Sequence, residues 1–162
     1  MPTPKIHPTS FIHPLAYVAG DVTIGARASI WPYASIRGDS DAIIIGDDSN
    51  VQDGCVIHVD DNVPCHIGKR VGIGHRAIVH GAVVENDVLI AMGAILLNGA
   101  RIGTGSIIGA GAVVREDFVV PANSLVLGVP GRIVRETTLQ ERDRIARTVE
   151  SYLTLQERYR TT

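Results

Sequence analysis

The residues of this 162-residue sequence with the clearest capacity for chemistry are its histidines, three of which lie close together. His58, His75 and His80 could supply imidazole nitrogens, which are common ligands of zinc and other divalent metals. The two cysteines, Cys55 and Cys65, form no Cys-x-x-Cys pair, and a reducing compartment would keep them as thiols, so no disulfide framework is expected. The chemistry then depends on whether the fold brings the three imidazoles together.

The element that must position these histidines is a repeat of six residues. A small residue often follows each branched one, and a second small or apolar residue returns four positions after it. A period of six fits neither the 3.6-residue turn of a helix nor the alternation of a long strand. It predicts short strands separated by turns, three to a coil, as in hexapeptide parallel β-helices. The branched positions are Ile6, Ile12, Val18, Ile24, Ile30 and Ile36; Ile45, Val51 and Ile57; Ile67, Ile73 and Val79; and Val84, Ile90, Leu96, Ile102, Ile108, Val114, Val120 and Val126.

The predicted architecture is an all-β solenoid of about seven coils over residues 1–134, followed by a C-terminal α-helix within residues 135–162. Thr138 and Glu141 match a capping box, and Ile145, Val149 and Tyr152 fall on one helical face. We expect this helix to pack on the β-helix or on a neighbouring subunit. Irregular steps in the repeat, such as the ones after Ile36 and Ile57, should form loops.

Composition excludes several classes of partner. Seventeen glycines and eight prolines do not suit a helical bundle. Fifteen basic against seventeen acidic side chains give a net charge of −2, without the basic excess of most nucleic-acid-binding proteins. No apolar run approaches a membrane span, and the N-terminus lacks the apolar stretch of a secretory signal. We therefore expect a cytoplasmic protein that binds neither nucleic acid nor membrane.

Assigning the repeats to three faces in rotation places one residue of each successive coil in a vertical column. Arg37, His58 and His80 each follow an inward-pointing branched residue on the same face, so they should point outward. Two imidazoles about 4.8 Å apart at the backbone can converge on one ion. Two ligands do not hold a catalytic metal, and His75 lies on the adjacent face. In a threefold trimer the neighbouring subunit could supply it; the alternative is a metal-free interface lined by histidines.

Four segments resemble the gamma-class carbonic anhydrase family. These are Arg37-Gly38-Asp39, residues 50–58 (NVQDGCVIH), residues 74–81 (GHRAIVHG) and residues 128–132 (GVPGR). The last is shared with hexapeptide acyltransferases. The resemblance implies a left-handed parallel β-helix and a homotrimer with one metal at each subunit interface.

Carried over residue by residue, the family pattern makes His58, His75 and His80 the metal ligands, with His75 donated by the adjacent subunit. Zn²⁺ is the usual assignment, and family members can use Fe²⁺ or Co²⁺ instead. The implied reaction is the hydration of CO2 to bicarbonate by a water that the metal activates.

The resemblance also implies roles for residues around the metal. Gln52 matches the residue that orients the water at the metal. Arg37 and Asp39 match a pair that ties subunits together, with Asp53 as a further partner. Tyr152 resembles a tyrosine that lines the pocket from the terminal helix.

The sequence departs from the family at the proton shuttle. Ser40 stands where the family places a first glutamate, and a short loop with Asp60 and Asp61 replaces a long acidic loop. Asp60 and Asp61 are the remaining shuttle candidates, and the shorter side chain of aspartate predicts slow turnover. Two alternatives stay open: a non-catalytic trimeric metal-binding scaffold or small-ligand binder, and a hexapeptide-repeat acyltransferase or thioesterase.

Overall fold

The six-residue period builds short strands that stack into the walls of a left-handed parallel β-helix of about seven turns. The computed structural model describes residues 1–161. A single helix follows the solenoid, so the predicted fold class is confirmed. Strands and helix of the described chain have these bounds: β1 Lys5–Ile6, β2 Phe11–Ile12, β3 Tyr17–Ile24, β4 Ser29–Ile30, β5 Ser35–Ile45, β6 Asn50–Val51, β7 Val56–His58, β8 Cys65–Ile67, β9 Gly72–Ile73, β10 Ile78–His80, β11 Val83–Val84, β12 Leu89–Ile90, β13 Ile95–Leu96, β14 Arg101–Ile102, β15 Ile107–Ile108, β16 Val113–Val114, β17 Val119–Val120, β18 Ser124–Leu127, β19 Arg132–Glu136 and α1 Leu139–Arg160.

The strands pair with their equivalents in the next coil, and every pairing except β18 with β19 is parallel. One sheet runs in the order β19-β18-β15-β12-β9-β6-β4-β2, and the other contains the remaining strands. Where coils turn, their backbones approach closely: a Cβ atom on Gly46 would lie 2.5 Å from the carbonyl oxygen of Gly68. Only glycine fits such a corner, which explains why it so often follows the branched residue.

The branched residues form the continuous core that the period predicts, and the second column of small residues is buried beside them. Ile30, Ile57 and Leu96, for example, have no exposed surface. The exceptions lie at the N-terminal end, where Ile12 and Val18 are half-buried and Ile6 has 42% of its surface exposed. Ile6 belongs to the terminal turn, where β1 pairs only with β3, so no further coil covers it.

The irregular steps have different outcomes. Contrary to expectation, the step after Ile36 is not a loop: it continues inside β5, which runs beside β3 with a register shift between Gly20 and Val22. The step after Ile57 protrudes as predicted, because residues 60–63 form a short exposed turn closed by an isolated bridge.

Helix α1 lies on the eight-stranded sheet of its own solenoid. Thr138 and Glu141 form the predicted capping box, in which each side chain bonds the backbone N–H of the other. Ile145 is buried in a cluster with Leu89, Ile107 and Leu125 from three strands of that sheet.

Farther along α1, Tyr152 packs edge-on against Trp31 at 5.3 Å between ring centroids. Within the described chain, no helix is both long and apolar enough to cross a membrane.

The ladder core yields a stability prediction. Leu96→Ala should lower the free energy of unfolding by about 2–5 kcal/mol, because the side chain is fully buried and its loss leaves a cavity between coils. Leu127→Ala is the matched control, since Leu127 is 44% exposed, and it should cost under about 1 kcal/mol. Urea denaturation measures both. An equal loss of unfolding free energy in the two variants would contradict this prediction, because it would show that the coils repack around the missing side chain.

The capping box yields a pH prediction. Arg135 hydrogen bonds to Glu141 and lowers the pKa of its carboxyl from 4.5 to about 2. The stabilisation is therefore complete above about pH 4.5 and is lost as the pH falls towards 2. Glu141→Gln should be less stable than the wild type at pH 7, and the difference should vanish near pH 2 in urea denaturation. Glu150→Gln, on the same helix, should change stability little, and a pH-independent loss in Glu141→Gln would contradict the assignment.

Candidate metal centre

Strand pairing places two of the three histidines side by side. In the ladder of β5, β7 and β10, Arg37 pairs with His58, and His58 pairs with His80. The preceding residues, Ile36, Ile57 and Val79, are buried, so the column points outward as the rotation of the repeat predicts. The imidazoles of His58 and His80 are partly buried, with Nδ1 of His58 3.0 Å from Nε2 of His80.

The second nitrogen of each imidazole is bound to an acceptor. His58 Nε2 lies 2.8 Å from Oδ1 of Asp39, and His80 Nδ1 lies 2.7 Å from Oδ1 of Asn98. Because both acceptors are oxygens, the hydrogen-bond network assigns a proton to each of these nitrogens. Asp39 also bonds Arg37, and the pKa of Asp39 is held below its usual range, first by the His58 bond and then by Arg37.

The nitrogens that remain face each other. With a proton on the far nitrogen of each ring, a neutral pair would direct two lone pairs at one another across 3.0 Å. Such a contact is repulsive unless a cation or an additional proton lies between the rings. Two neutral imidazole donors at this spacing fit a divalent metal.

A carboxylate completes the donor set available within one chain. Asp60 Oδ1 lies 3.9 Å from Nε2 of His80, and one donor atom each from His58, Asp60 and His80 falls within 4.8 Å of the others. The Asn98 side chain donates to Oδ2 of Asp60 at 2.7 Å, so it holds Asp60 beside His80. Asp60 is thus placed among the ligand donors, and the exposed Asp61 is not part of this group.

His75 lies elsewhere in the same chain. It follows β9 and contacts Asp53 Oδ2 through Nδ1 at 3.1 Å, while its Nε2 faces the hydroxyl of Tyr152 at 3.5 Å. Burial, and secondarily Asp53, raises the pKa of Tyr152 to about 12, so the phenol keeps its proton and can donate to His75. Within residues 1–161 the metal-binding group contains His58 and His80 without His75.

Gln52 belongs with His75. Its side chain is buried and donates to Oδ1 of Asn50 at 3.0 Å, and it shares a cavity lining with His75 and Tyr152. The chain therefore carries two separate groups. The first group is His58, His80, Asp60, Asp39 and Arg37, and the second group is His75, Asp53, Gln52 and Tyr152.

The residues expected at subunit contacts have partners inside the chain. Arg37 binds Asp39, Asp39 also binds His58, and Asp53 binds His75. Cys55 is buried and hydrogen bonds to the carbonyl of Gly74, and burial raises the pKa of its thiol to about 12. The thiol is unsuited to act as a nucleophile at neutral pH.

Asn98 is the site residue that the sequence reasoning missed. It lies one coil above His80, two positions after Leu96, and its side chain bonds both His80 and Asp60. The signal was available: Leu96 continues the face that carries Ile57 and Val79, so a polar side chain just after it would come near the histidine column.

Comparisons with known proteins agree with this fold. Residues 3–38 and 81–116 match the model of the bacterial transferase hexapeptide (six repeats). A Methanocaldococcus jannaschii protein named "Probable carbonic anhydrase" is 56% identical over 88% of this chain and 89% of its own. The carnitine operon protein CaiE of Escherichia coli O157:H7 is 40% identical over 85% of this chain and 70% of its own.

Among solved structures, a hexapeptide transferase family protein from Anaplasma phagocytophilum superposes with a TM-score of 0.93 at 35% identity. The match covers 96% of this chain and 92% of that one. The matches to these two relatives and to this structure each cover at least 85% of the chain. The chain therefore belongs to the gamma-class carbonic anhydrase family of hexapeptide-repeat β-helix proteins.

Proposed function

We propose that this protein is a cytoplasmic homotrimer that catalyses the reversible, metal-dependent hydration of CO2 to bicarbonate. The observation that supports it best is the pair of opposed nitrogens on His58 and His80, 3.0 Å apart, whose partner nitrogens are already hydrogen bonded. The name of the Methanocaldococcus jannaschii relative agrees with this reaction.

The third ligand in this proposal is His75 of a neighbouring subunit. The Asp53 contact favours the tautomer in which Nδ1 of His75 carries the proton and Nε2 carries the lone pair. The Tyr152 hydroxyl lies 3.5 Å from Nε2 and would give up this long contact when the cation binds. A threefold trimer would bring the second group of one subunit to the first group of the next, with one Zn²⁺, Fe²⁺ or Co²⁺ at each interface. Three neutral imidazoles leave the charge of the cation uncompensated.

A bound divalent cation supplies Lewis acidity, which makes water nucleophilic near neutral pH. The residues of the chain then orient the reactants and move the proton. Gln52 is fixed through Asn50, so its amide can hold a water in a defined orientation. Asp60 Oδ1 can accept the released proton, while Asn98 fixes Oδ2 of the same carboxylate. Asp60 is exposed, so it can pass the proton to buffer; its short side chain makes slow turnover the expected result.

A second candidate is a trimeric scaffold or small-ligand binder that keeps its metal for assembly. The observation that favours it is Ser40, a non-titrating side chain at the position where the family carries its first shuttle. An acyltransferase or thioesterase is compatible with the same fold. Transferases of this kind need one histidine to act as a base, and His75, held through Nδ1 by Asp53, is the candidate in this chain. The opposed nitrogens of His58 and His80 have no role in that reaction, which is why the metal-dependent reaction is preferred.

The catalytic proposal is tested by stopped-flow CO2 hydration with zinc-loaded and iron-loaded protein in strong buffer. His58→Ala and His75→Ala should each lose the metal and lower kcat/KM at least about a hundredfold, since a catalytic metal needs three protein ligands. His66→Ala is the matched control, because His66 is an exposed histidine on β8. This variant should keep the metal and the wild-type kcat/KM. If the protein binds metal but neither the zinc-loaded nor the iron-loaded form hydrates CO2 faster than the background reaction, the scaffold is favoured.

The trimer proposal is tested by mixing subunits. Two chains are coexpressed, one with His75→Ala and the other with His58→Ala/His80→Ala. In randomly assembled trimers about one quarter of the interfaces combine an intact His75 with an intact His58 and His80, so the mixture should regain about one quarter of the wild-type metal content. If Asp60 is instead the third ligand within one chain, the mixture regains about half through its intact His58, Asp60 and His80 groups, and His75→Ala alone keeps its metal. That pattern, with loss of metal in Asp60→Asn, would contradict the interface site.

Asn98 yields a positioning prediction. Asn98→Leu should weaken metal affinity by about 10–100-fold in competition with a chelator, because His80 loses the acceptor that fixes its tautomer. Asn98→Asp keeps an acceptor for His80 and should restore affinity, while it removes the donor to Asp60 and should change the buffer dependence of turnover. Equal affinity losses in both variants would indicate a merely structural role.

A further inference from the structure

A cavity of about 390 Å³ lies between α1 and the edge of the solenoid, next to His75. Ligand sites for small organic molecules usually have volumes of about 300–1,000 Å³, far more than a triatomic molecule such as CO2 requires. The cavity is therefore larger than the proposed reaction needs.

Two positive charges line this cavity from the helix. Arg144 and Arg147 are one helical turn apart, and both face the cavity. Among residues 1–161, neither guanidinium has an ion-pair partner within 4 Å. Other arginines of the chain, such as Arg27, Arg70 and Arg135, form two-point pairs with carboxylates of the protein. Arg144 and Arg147 are thus available to an external anion.

Apolar residues of the solenoid also line the cavity. They are Leu89, Ala91 and Met92, and Met92 keeps 59% of its surface exposed. Gln52 and Tyr152 add polar side chains to the lining. A ligand that satisfies all three parts has an anionic group at one end and a short apolar body.

We propose that this cavity binds a small organic carboxylate. The carboxylate would bond Arg144 and Arg147, whose planar guanidinium groups match its two oxygens. The hydrocarbon part would lie on Leu89, Ala91 and Met92. This inference goes beyond CO2 hydration, because it needs neither the metal nor turnover, and it gives the chain a binding site for an organic acid beside His75.

Isothermal titration of the purified full-length protein with butyrate tests the site. Metal-loaded and chelator-treated protein should bind butyrate with the same affinity, which separates the cavity from any carboxylate bound to a metal. Arg144→Gln/Arg147→Gln should weaken binding at least tenfold. Arg101→Gln/Arg132→Gln removes the same charge from exposed positions elsewhere and should stay within twofold of the wild type.

Two further probes separate the parts of the ligand. Butyramide, which is neutral, and inorganic phosphate, which lacks an apolar body, should each bind at least tenfold more weakly than butyrate. Ala91→Leu should fill the space beside the apolar residues and weaken butyrate binding with both arginines in place.

The proposal is overturned if phosphate binds as tightly as butyrate, if the Arg144→Gln/Arg147→Gln variant binds butyrate as the wild type does, or if butyrate binding disappears when the metal is removed. Butyrate binding by a protein that hydrates no CO2 would support this site while rejecting the proposed reaction.

Discussion

Parallel strand pairing between successive coils is the constraint on which the rest of this structure depends. Each coil repeats the backbone path of the one below it, so equivalent residues lie directly above one another. The same register that aligns the buried Ile57 and Val79 also aligns His58 and His80 on the outer surface. Core packing and the spacing of the two imidazoles are therefore fixed by one set of backbone hydrogen bonds.

The period of the sequence was enough to predict the coils, the buried ladders and the histidine column, because all three follow from which residue faces inward. It was not enough to predict contacts that depend on where a side chain ends. Asn98 bridges His80 and Asp60 through rotamers that a repeat does not encode. The step after Ile36 is also ambiguous in sequence, since a bulged strand and a loop can hold the same extra residues.

The division of the polar residues into two groups has a physical basis. His75 follows β9 in the eight-stranded sheet, whereas His58 and His80 end strands of the other sheet, and a corner of the solenoid separates them. Helix α1 packs on the first of these sheets, where it brings Tyr152 to His75. The surroundings of His75 are therefore set in part by the helix, whereas His58 and His80 are held by Asp39 and Asn98 of the solenoid itself.

The solenoid is built by adding equivalent coils, and the polar cluster occupies only the coils of β5, β7, β10 and β13. A duplication or loss of one whole coil near either end would change the length of the protein and leave that cluster intact. An insertion of one residue inside β7 or β10 would instead turn a histidine away from the column, whereas the turn at residues 60–63 already holds extra residues without disturbing the pairing of His58 with His80. Proteins of this architecture can therefore vary in height by whole coils and in the size of their corner turns, while the strands that carry the two histidines must keep their register.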